Sequence, residues 1–177
     1  MNATRFAILG IILSAFVAAI ALYYTQHYAF RYEVSLEDVG GVELTLVATE
    51  LRDPIVVRDF QGNDSDSSPL AFKACFTTPH SMAMLTETFD IYDDPVPTNA
   101  PNSFPCFDAK EIGVALETGA ATAFTSHANF QYGFDRVVAI FDDGRGYAWH
   151  QLNICGERAY ADEDLPSHCP PVPEGLK

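Results

Sequence analysis

The chain has 177 residues, and its 24 acidic residues against 10 Lys and Arg give a formal net charge of −14 at pH 7. This charge argues against nucleic-acid binding and against docking onto anionic lipid, because both need basic surfaces. The thirteen Phe and eight Tyr exclude a disordered chain and are sufficient for one folded domain of ordinary size.

An uninterrupted apolar segment occupies residues 6–24 and contains no charged, proline or amide residue. As a helix it is about 28 Å long at ~1.5 Å per residue, close to the ~30 Å hydrocarbon core of a bilayer. We predict a transmembrane helix here, with residues 1–5 as a cytoplasmic tail and residues 25–30 as a juxtamembrane link.

A cleaved signal peptide is the alternative, because Ala19-Ile20-Ala21 fits the small-residue pattern of a cleavage site. Two features favour a retained anchor. The segment is longer than the roughly 7–15 residues of a signal core, and it ends in Tyr23 and Tyr24, which are typical of a membrane interface. We therefore predict that the mature protein keeps the helix.

All the cysteines follow this segment: Cys75, Cys106, Cys155 and Cys169. Their even number, without a CxxC pair, indicates disulfides rather than zinc ligands. Of the three possible pairings we predict Cys75–Cys106, which ties a proline-rich connection to the sheet, and Cys155–Cys169, which staples the tail. The alternative is four reduced, buried cysteines in the cytoplasm.

The disulfides, together with Arg5 before the helix, predict the location of the protein. Disulfides need an oxidising compartment, and positive charge favours the cytoplasmic side of a membrane helix. We predict a single-pass protein of the inner (cytoplasmic) membrane, with its N-terminus cytoplasmic and its C-terminal domain periplasmic.

Residues 31–160 are predicted to form that domain. Alternating apolar and polar residues over 31–36 and 42–48, on either side of Gly40-Gly41, predict a β-hairpin. Further strands are predicted over residues 55–60 and 70–76, with a turn-rich loop at 61–69.

Two helices are predicted in the middle of the chain. The first is a short helix over residues 78–87 capped at Thr78, for which a strand over 84–91 is the alternative. The second follows an extended proline-rich connection over 93–105. Its N-cap is Asp108, with Glu111 reaching back in a capping box, and it ends at Gly119.

The C-terminal part is predicted to hold a central strand over residues 136–141, a turn over 142–146 and a strand over 147–154. Residues 161–177 are an acidic, proline-rich tail. The fold class is therefore α+β: an N-terminal transmembrane helix followed by one extracytoplasmic domain, with an antiparallel sheet and one or two helices on one face.

The hairpin formed by the last two strands is a candidate interaction surface. Tyr147, Trp149 and Arg145 are residue types favoured at binding hot spots, and His150 lies beside them. The alternative places Trp149 in the core under the helix. His150 near acidic residues is a conceivable general base, but we identify no nucleophile beside it and predict no catalytic residue.

The segment around His80, Met82 and Met84 has the soft ligands that Cu(I) prefers. The interpretation we favour places both methionines in the core and His80 at the surface. A second segment has the sequence DSDSS at residues 64–68 and resembles the start of a calcium loop. It lacks the central glycine and the closing glutamate of such a loop. We predict no metal and no cofactor.

Several motifs along the whole chain together resemble an uncharacterised, domain-of-unknown-function family of alphaproteobacterial single-pass membrane proteins. The resemblance implies no established activity. Members sometimes carry a histidine-kinase label, but about 150 strand-rich residues leave no room for a phosphoacceptor helix pair and a nucleotide-binding domain. The motifs are Asp59-Phe60-Gln61-Gly62 with Asp64-Ser65-Asp66-Ser67-Ser68-Pro69, Cys75-Phe76-Thr77-Thr78, Cys106-Phe107-Asp108-Ala109, Asp135-Arg136-Val137-Val138-Ala139, Asp143-Gly144-Arg145-Gly146-Tyr147, Trp149-His150-Gln151 and Cys155-Gly156-Glu157.

The function predicted from these features is that of a membrane-anchored extracytoplasmic accessory or assembly factor, acting by protein–protein interaction. Its expected partner is an integral membrane or envelope protein, and no nucleic acid is expected. The alternatives are a periplasmic copper-handling protein and an unrecognised enzyme.

Overall fold

The structure is a computed structural model and describes residues 3–175. The outermost residues of the two predicted tails, 1–2 and 176–177, lie outside the described residues. Helix α1 (Ala3–His27) extends the predicted apolar segment at both ends. Within it, Arg5–Thr25 is long and apolar enough to cross a membrane, and none of this stretch is buried.

The domain that follows contains eight strands and three helices in the described part of the chain. The strands are β1 (Tyr32–Val34), β2 (Glu43–Thr45), β3 (Arg52–Pro54), β4 (Arg58–Asp64), β5 (Lys73–Thr77), β6 (Ala121–Gln131), β7 (Phe134–Phe141) and β8 (Arg145–Leu152). The helices are α2 (Met82–Thr88), α3 (Ala109–Thr118) and α4 (Ile154–Tyr160).

Six of the strands form one antiparallel sheet in the order β1-β4-β5-β8-β7-β6, and β2 pairs with β3 in a small second sheet. This architecture confirms the predicted α+β class with an antiparallel sheet. The predicted hairpin between the first two strands is wrong, because β1 pairs with β4 and β2 with β3. Alternation identifies a strand's faces but leaves its partner undetermined.

Helices and loops cover both faces of the large sheet, whereas the prediction placed helices on one face. On one face, β2 and α2 contribute Leu44 and Leu85 to a core cluster that includes Ala148 of β8. On the other face, Ile112 of α3 joins a second cluster with Trp149. Successive β8 residues therefore alternate between two cores, as the period of a strand requires.

Several boundaries differ from the prediction. The third predicted strand begins late, at Arg58, and continues to Asp64 through part of the predicted loop. Helix α2 is capped by Ser81, whose side chain accepts from the Met84 N–H, whereas the Thr78 hydroxyl donates to the Val56 carbonyl at 2.8 Å. The alternative strand over 84–91 is wrong, because α2 occupies most of it.

Helix α3 has both of its predicted ends. The Asp108 side chain accepts from the Lys110 and Glu111 N–H groups, and Gly119 ends the helix at φ 75° in the left-handed region. The predicted capping box also requires Glu111 to reach back to the N-cap, but its carboxylate forms an ion pair with Arg145 at 2.8 Å.

Three elements were not predicted, and the shortest of them is strand β3 (Arg52–Pro54). The longest strand, β6, spans Ala121–Gln131, and helix α4 begins at Ile154, inside the last predicted strand. Asn153 caps α4 by accepting from the Gly156 N–H at 3.0 Å. A short helix of this kind is stabilised by packing and covalent linkage more than by propensity.

Both disulfides have the pairing predicted from the sequence. Cys75–Cys106 joins β5 to the proline-rich connection, and Cys155–Cys169 joins α4 to the tail. The proline-rich connection and the tail lack regular structure over most of their length, and the two disulfides hold them against the domain.

Candidate functional site

The predicted interaction surface on the last hairpin is wrong for three of its four residues. Tyr147, Trp149 and His150 are 7%, 0% and 5% exposed. Trp149 packs edge-to-face on Phe107 in the core beside α3, which is the alternative interpretation of this residue. Arg145 lies at the surface, where it is paired with acidic side chains.

His150 is enclosed by aromatic rings and hydrogen-bonded through both ring nitrogens. Phe72 and Phe130 lie 4.8 Å and 3.9 Å from its ring centroid. Its Nδ1 is 2.7 Å from the Pro69 carbonyl, and the Arg136 Nε–H donates to its Nε2 at 3.0 Å. Burial and the Arg136 charge lower the pKa of His150 to about 3. Neither nitrogen is therefore free to act as a general base.

The His80 segment has the arrangement of a core segment. Met82 and Met84 pack against the cluster formed by β2, α2 and the sheet. The Val56 N–H donates to His80 Nε2 at 3.2 Å. The two methionine side chains are thus engaged in packing, and this imidazole nitrogen is engaged in a hydrogen bond.

The acidic loop after β4 is held by its own hydrogen bonds. The Asp64 side chain accepts from the Ser65 N–H at 2.7 Å, and the hydroxyls of Ser65 and Ser67 are 2.8 Å apart. The Tyr32 hydroxyl donates to Asp66 at 2.8 Å, and this hydrogen bond is the main reason that the pKa of Tyr32 rises to about 12. These contacts are those of a turn-forming loop.

A groove of about 560 Å³ lies where the proline-rich connection, the C-terminal end of β8 and α4 meet. It lies at the end of the sheet opposite the β7–β8 turn. Sequence reasoning did not identify it. The lining residues are Asp90, Ile91, Tyr92, Asp93, Asp94, Val96, Thr125, Asp135, Gln151, Leu152, Asn153, Ile154, Glu157 and His168.

The floor of the groove is a buried polar network centred on Asp135, which is 6% exposed. Its carboxylate accepts from the Tyr92 hydroxyl at 2.9 Å, from the Asn129 N–H at 2.7 Å and from the Asn153 amide at 2.7 Å. Burial and the Asp135 charge raise the pKa of Tyr92 above its usual range. The phenol therefore stays protonated and keeps donating.

Gln151 extends this network towards the connection. Its side-chain oxygen accepts from the Trp149 indole at 3.1 Å and from the Val96 N–H at 2.9 Å, and its amide donates to the Asp94 carbonyl at 3.3 Å. A network with satisfied members makes a rigid floor. The proline-rich connection is thereby fixed along one wall of the groove.

The rim of the groove combines apolar and acidic side chains. Ile91, Val96 and Ile154 are 51%, 61% and 41% exposed. Asp93 and Glu157 are exposed among them. Such a surface suits a ligand that is both apolar and positively charged.

His168 lies on the same rim, beside the Cys155–Cys169 disulfide. One of its ring nitrogens and the two sulfurs lie within 4.8 Å of one another. Cys155 is buried, Cys169 is half-buried and His168 is exposed.

The groove residues come from distant parts of the chain, and their local motifs give little indication of a shared site. The usable signals were three of the family motifs, which contain the groove residues Asp135, Gln151 and Glu157. No curated protein and no solved structure matches the chain.

One protein family does match it. The sequence profile of DUF6446, a family of unknown function, matches residues 42–170. The matched residues include the whole groove and both disulfides. This match confirms the predicted resemblance to an uncharacterised family. Because it covers most of the sequence, the chain belongs to the DUF6446 family of unknown function.

Proposed function

We propose that the protein is a membrane-tethered, extracytoplasmic accessory or assembly factor that binds a positively charged segment of another envelope protein in the groove. The exposed apolar helix α1 and the two disulfides support a tethered domain in an oxidising compartment. The proposed topology is a single pass through the inner membrane, with the N-terminus cytoplasmic.

The composition of the groove rim carries this proposal. Ile91, Val96 and Ile154 expose aliphatic surface to solvent within one concave site, and Asp93 and Glu157 surround it with negative charge. An amphipathic segment with Lys or Arg would bury the aliphatic groups and neutralise the carboxylates.

The rigidity of the floor also favours binding. Gln151 accepts a hydrogen bond from the Val96 N–H and Asp135 accepts one from the Asn153 amide, and these bonds fix the connection and the start of α4 before a partner arrives. A preformed groove loses less conformational entropy on binding than a mobile one.

Site-specific photo-cross-linking in intact cells tests the proposal. A benzophenone amino acid is placed at Val96 or Ile154 in the groove, and at Val114 as the control. Val114 is 52% exposed on α3 and does not line the groove. We expect the groove positions to give the same discrete adduct, whose partner contributes a basic segment, and Val114 to give none.

A charge variant then tests the electrostatic part. Asp93→Asn with Glu157→Gln keeps the side-chain shape, and we expect it to reduce the adduct and to make the remainder less sensitive to salt. Equal adducts at Val96 and Val114, or an adduct unchanged in the charge variant, would contradict the proposal.

A further inference from the structure

The Cys155–Cys169 disulfide has a histidine, His168, beside its two sulfurs. In the described residues, the single group of His, Cys and carboxylate side chains close enough to share a metal ion is Cys155, His168 and Cys169. Cys75 and Cys155 are both buried, but Cys75 lies among the aromatic side chains of the core, whereas Cys155 lies beside the exposed His168.

We propose that Cys155, Cys169 and His168 form a redox-gated metal site, which is closed by the disulfide and binds Cu(I) when the two cysteines are reduced. The donor atoms are already close, because a His168 nitrogen lies within 4.8 Å of the two bonded sulfurs. Opening the S–S bond lets a metal ion enter between them with small movements of the tail.

The donor set favours Cu(I). Thiolate and imidazole are soft or intermediate ligands, and thiolates select Cu(I) over hard cations. Zinc bound by two cysteines and one histidine takes water as its fourth ligand, whereas the three ligands of this group are sufficient for Cu(I). The two cysteines are 14 residues apart and belong to α4 and the tail, so the tail can adjust to the ion.

The gating step needs a two-electron reductant of the dithiol class. The dithiol transfers two electrons and two protons to the Cys155–Cys169 bond and becomes a disulfide itself, and the S–S bond breaks into two thiols. Cu(I) then binds as the two thiols release their protons. In the reverse direction, protonation of the thiolates releases Cu(I), and a carrier with a disulfide of its own then accepts two electrons and two protons from the two cysteines, which restores the Cys155–Cys169 bond.

Cu(I) competition with a chromogenic chelator tests the site on the full-length protein in detergent, before and after reduction by a phosphine. We expect the reduced protein to retain one equivalent of Cu(I) and the oxidised protein none. Removing a residue that only hydrogen-bonds to a metal ligand costs about 10–100-fold in metal affinity. His168→Ala removes a ligand itself, so it should weaken Cu(I) binding by at least about tenfold.

Two control variants locate the site. Cys155→Ser with Cys169→Ser keeps the Cys75 and Cys106 thiols and should lose Cu(I), and His80→Ala should retain it. Uptake by the oxidised protein, uptake unchanged by His168→Ala or by the double serine variant, or uptake of Zn²⁺ without Cu(I) would each overturn the proposal.

X-ray absorption of the Cu(I)-loaded wild-type protein is independent of the folding of any variant. It should show sulfur and imidazole scattering at the metal, and a spectrum with sulfur alone would rule out His168 as a ligand. Because metal binding is measured on the protein alone, its failure is distinguishable from failure of the partner proposal.

Discussion

His150 is held as a neutral imidazole by four contacts that come from separate parts of the chain. Phe72 and Phe130 enclose its ring, Arg136 donates to Nε2, and the Pro69 carbonyl lies at Nδ1. The guanidinium of Arg136 also lies 4.6 Å from the centroid of the Phe72 ring. Protonation of His150 would place a second positive charge beside Arg136 in a buried site.

We expect this residue to make the domain less stable in acid. The native pKa of His150 is lowered to about 3, mainly by burial, and an unfolded histidine has a pKa of about 6.5. Between these values the unfolded state binds more protons, so the free energy of unfolding falls as the pH falls, by at most about 1.4 kcal/mol per pH unit. Above pH ~6.5 the contribution is complete.

Urea unfolding from pH 8 to pH 4 measures this effect, and His150→Gln is the comparison because its side-chain oxygen can still accept from Arg136. The variant should show a shallower pH dependence. NMR of the imidazole gives a direct check: a His150 resonance that titrates above pH 5 would contradict the expectation.

At the scale of elements, α4 docks through a close contact between two glycines. Gly133, at φ 81°, is in the left-handed region in the turn between β6 and β7. A Cβ added to Gly156 would lie 2.5 Å from the Gly133 carbonyl oxygen and 2.8 Å from the Gly133 Cα. Both atoms belong to the backbone, so the contact has no flexible side chain that could move aside.

We expect Gly156→Ala to destabilise the domain by about 1–3 kcal/mol, the usual cost of overpacking. Gly113→Ala is the matched control. Its Cβ would meet Pro97 at an ordinary 3.8 Å, and alanine should stabilise helix α3 by about 0.5–1 kcal/mol. Denaturant unfolding measures both, and equal effects of the two substitutions would disprove the glycine contact.

The two disulfides should contribute unequally to stability. In the chain-entropy treatment, the sequence separations of 31 and 14 residues correspond to about 3.7 and about 3 kcal/mol. Cys75→Ser with Cys106→Ser should therefore lower the Tm more than Cys155→Ser with Cys169→Ser, because each pair has one buried cysteine, Cys75 or Cys155, and the loop lengths differ. The reverse order would show that the tail staple stabilises more than its loop length explains.

At the scale of the whole molecule, the protein combines an exposed apolar helix with a strongly acidic chain. All residues of the candidate span Arg5–Thr25 are exposed. The chain as a whole has a formal net charge of −14. The helix can lose contact with water only in a membrane or against another protein. An exposed apolar helix of this length near the N-terminus is consistent with a membrane anchor and also with a signal sequence.

We expect the mature protein to retain this helix. Intact-mass measurement of the detergent-extracted protein should give a species that includes residues 6–24, and the protein should resist extraction by salt. A mature species beginning at Leu22 would show that the helix is a cleaved signal peptide.

The sequence by itself determined the features that depend on local chemistry. The apolar segment of residues 6–24 needs no tertiary contact to be recognised. The caps of α3 also follow from local chemistry, because the Asp108 side chain accepts from the first N–H groups of the helix and Gly119 adopts the left-handed conformation that ends it. The pairing of the four cysteines was predicted from the segments that they join.

Only the tertiary structure decided which strands pair, where Trp149 and His150 lie, and that a groove exists. A period of two gives each strand two faces, but the choice of partner depends on segments far away in sequence. Strand β6 carries His127 and Asn129, which obscure its pattern. Gln151 and Asp135 meet Tyr92 and Val96 because β7 and β8 end beside the proline-rich connection. Contacts between residues so distant in sequence are created by folding and have no local signature.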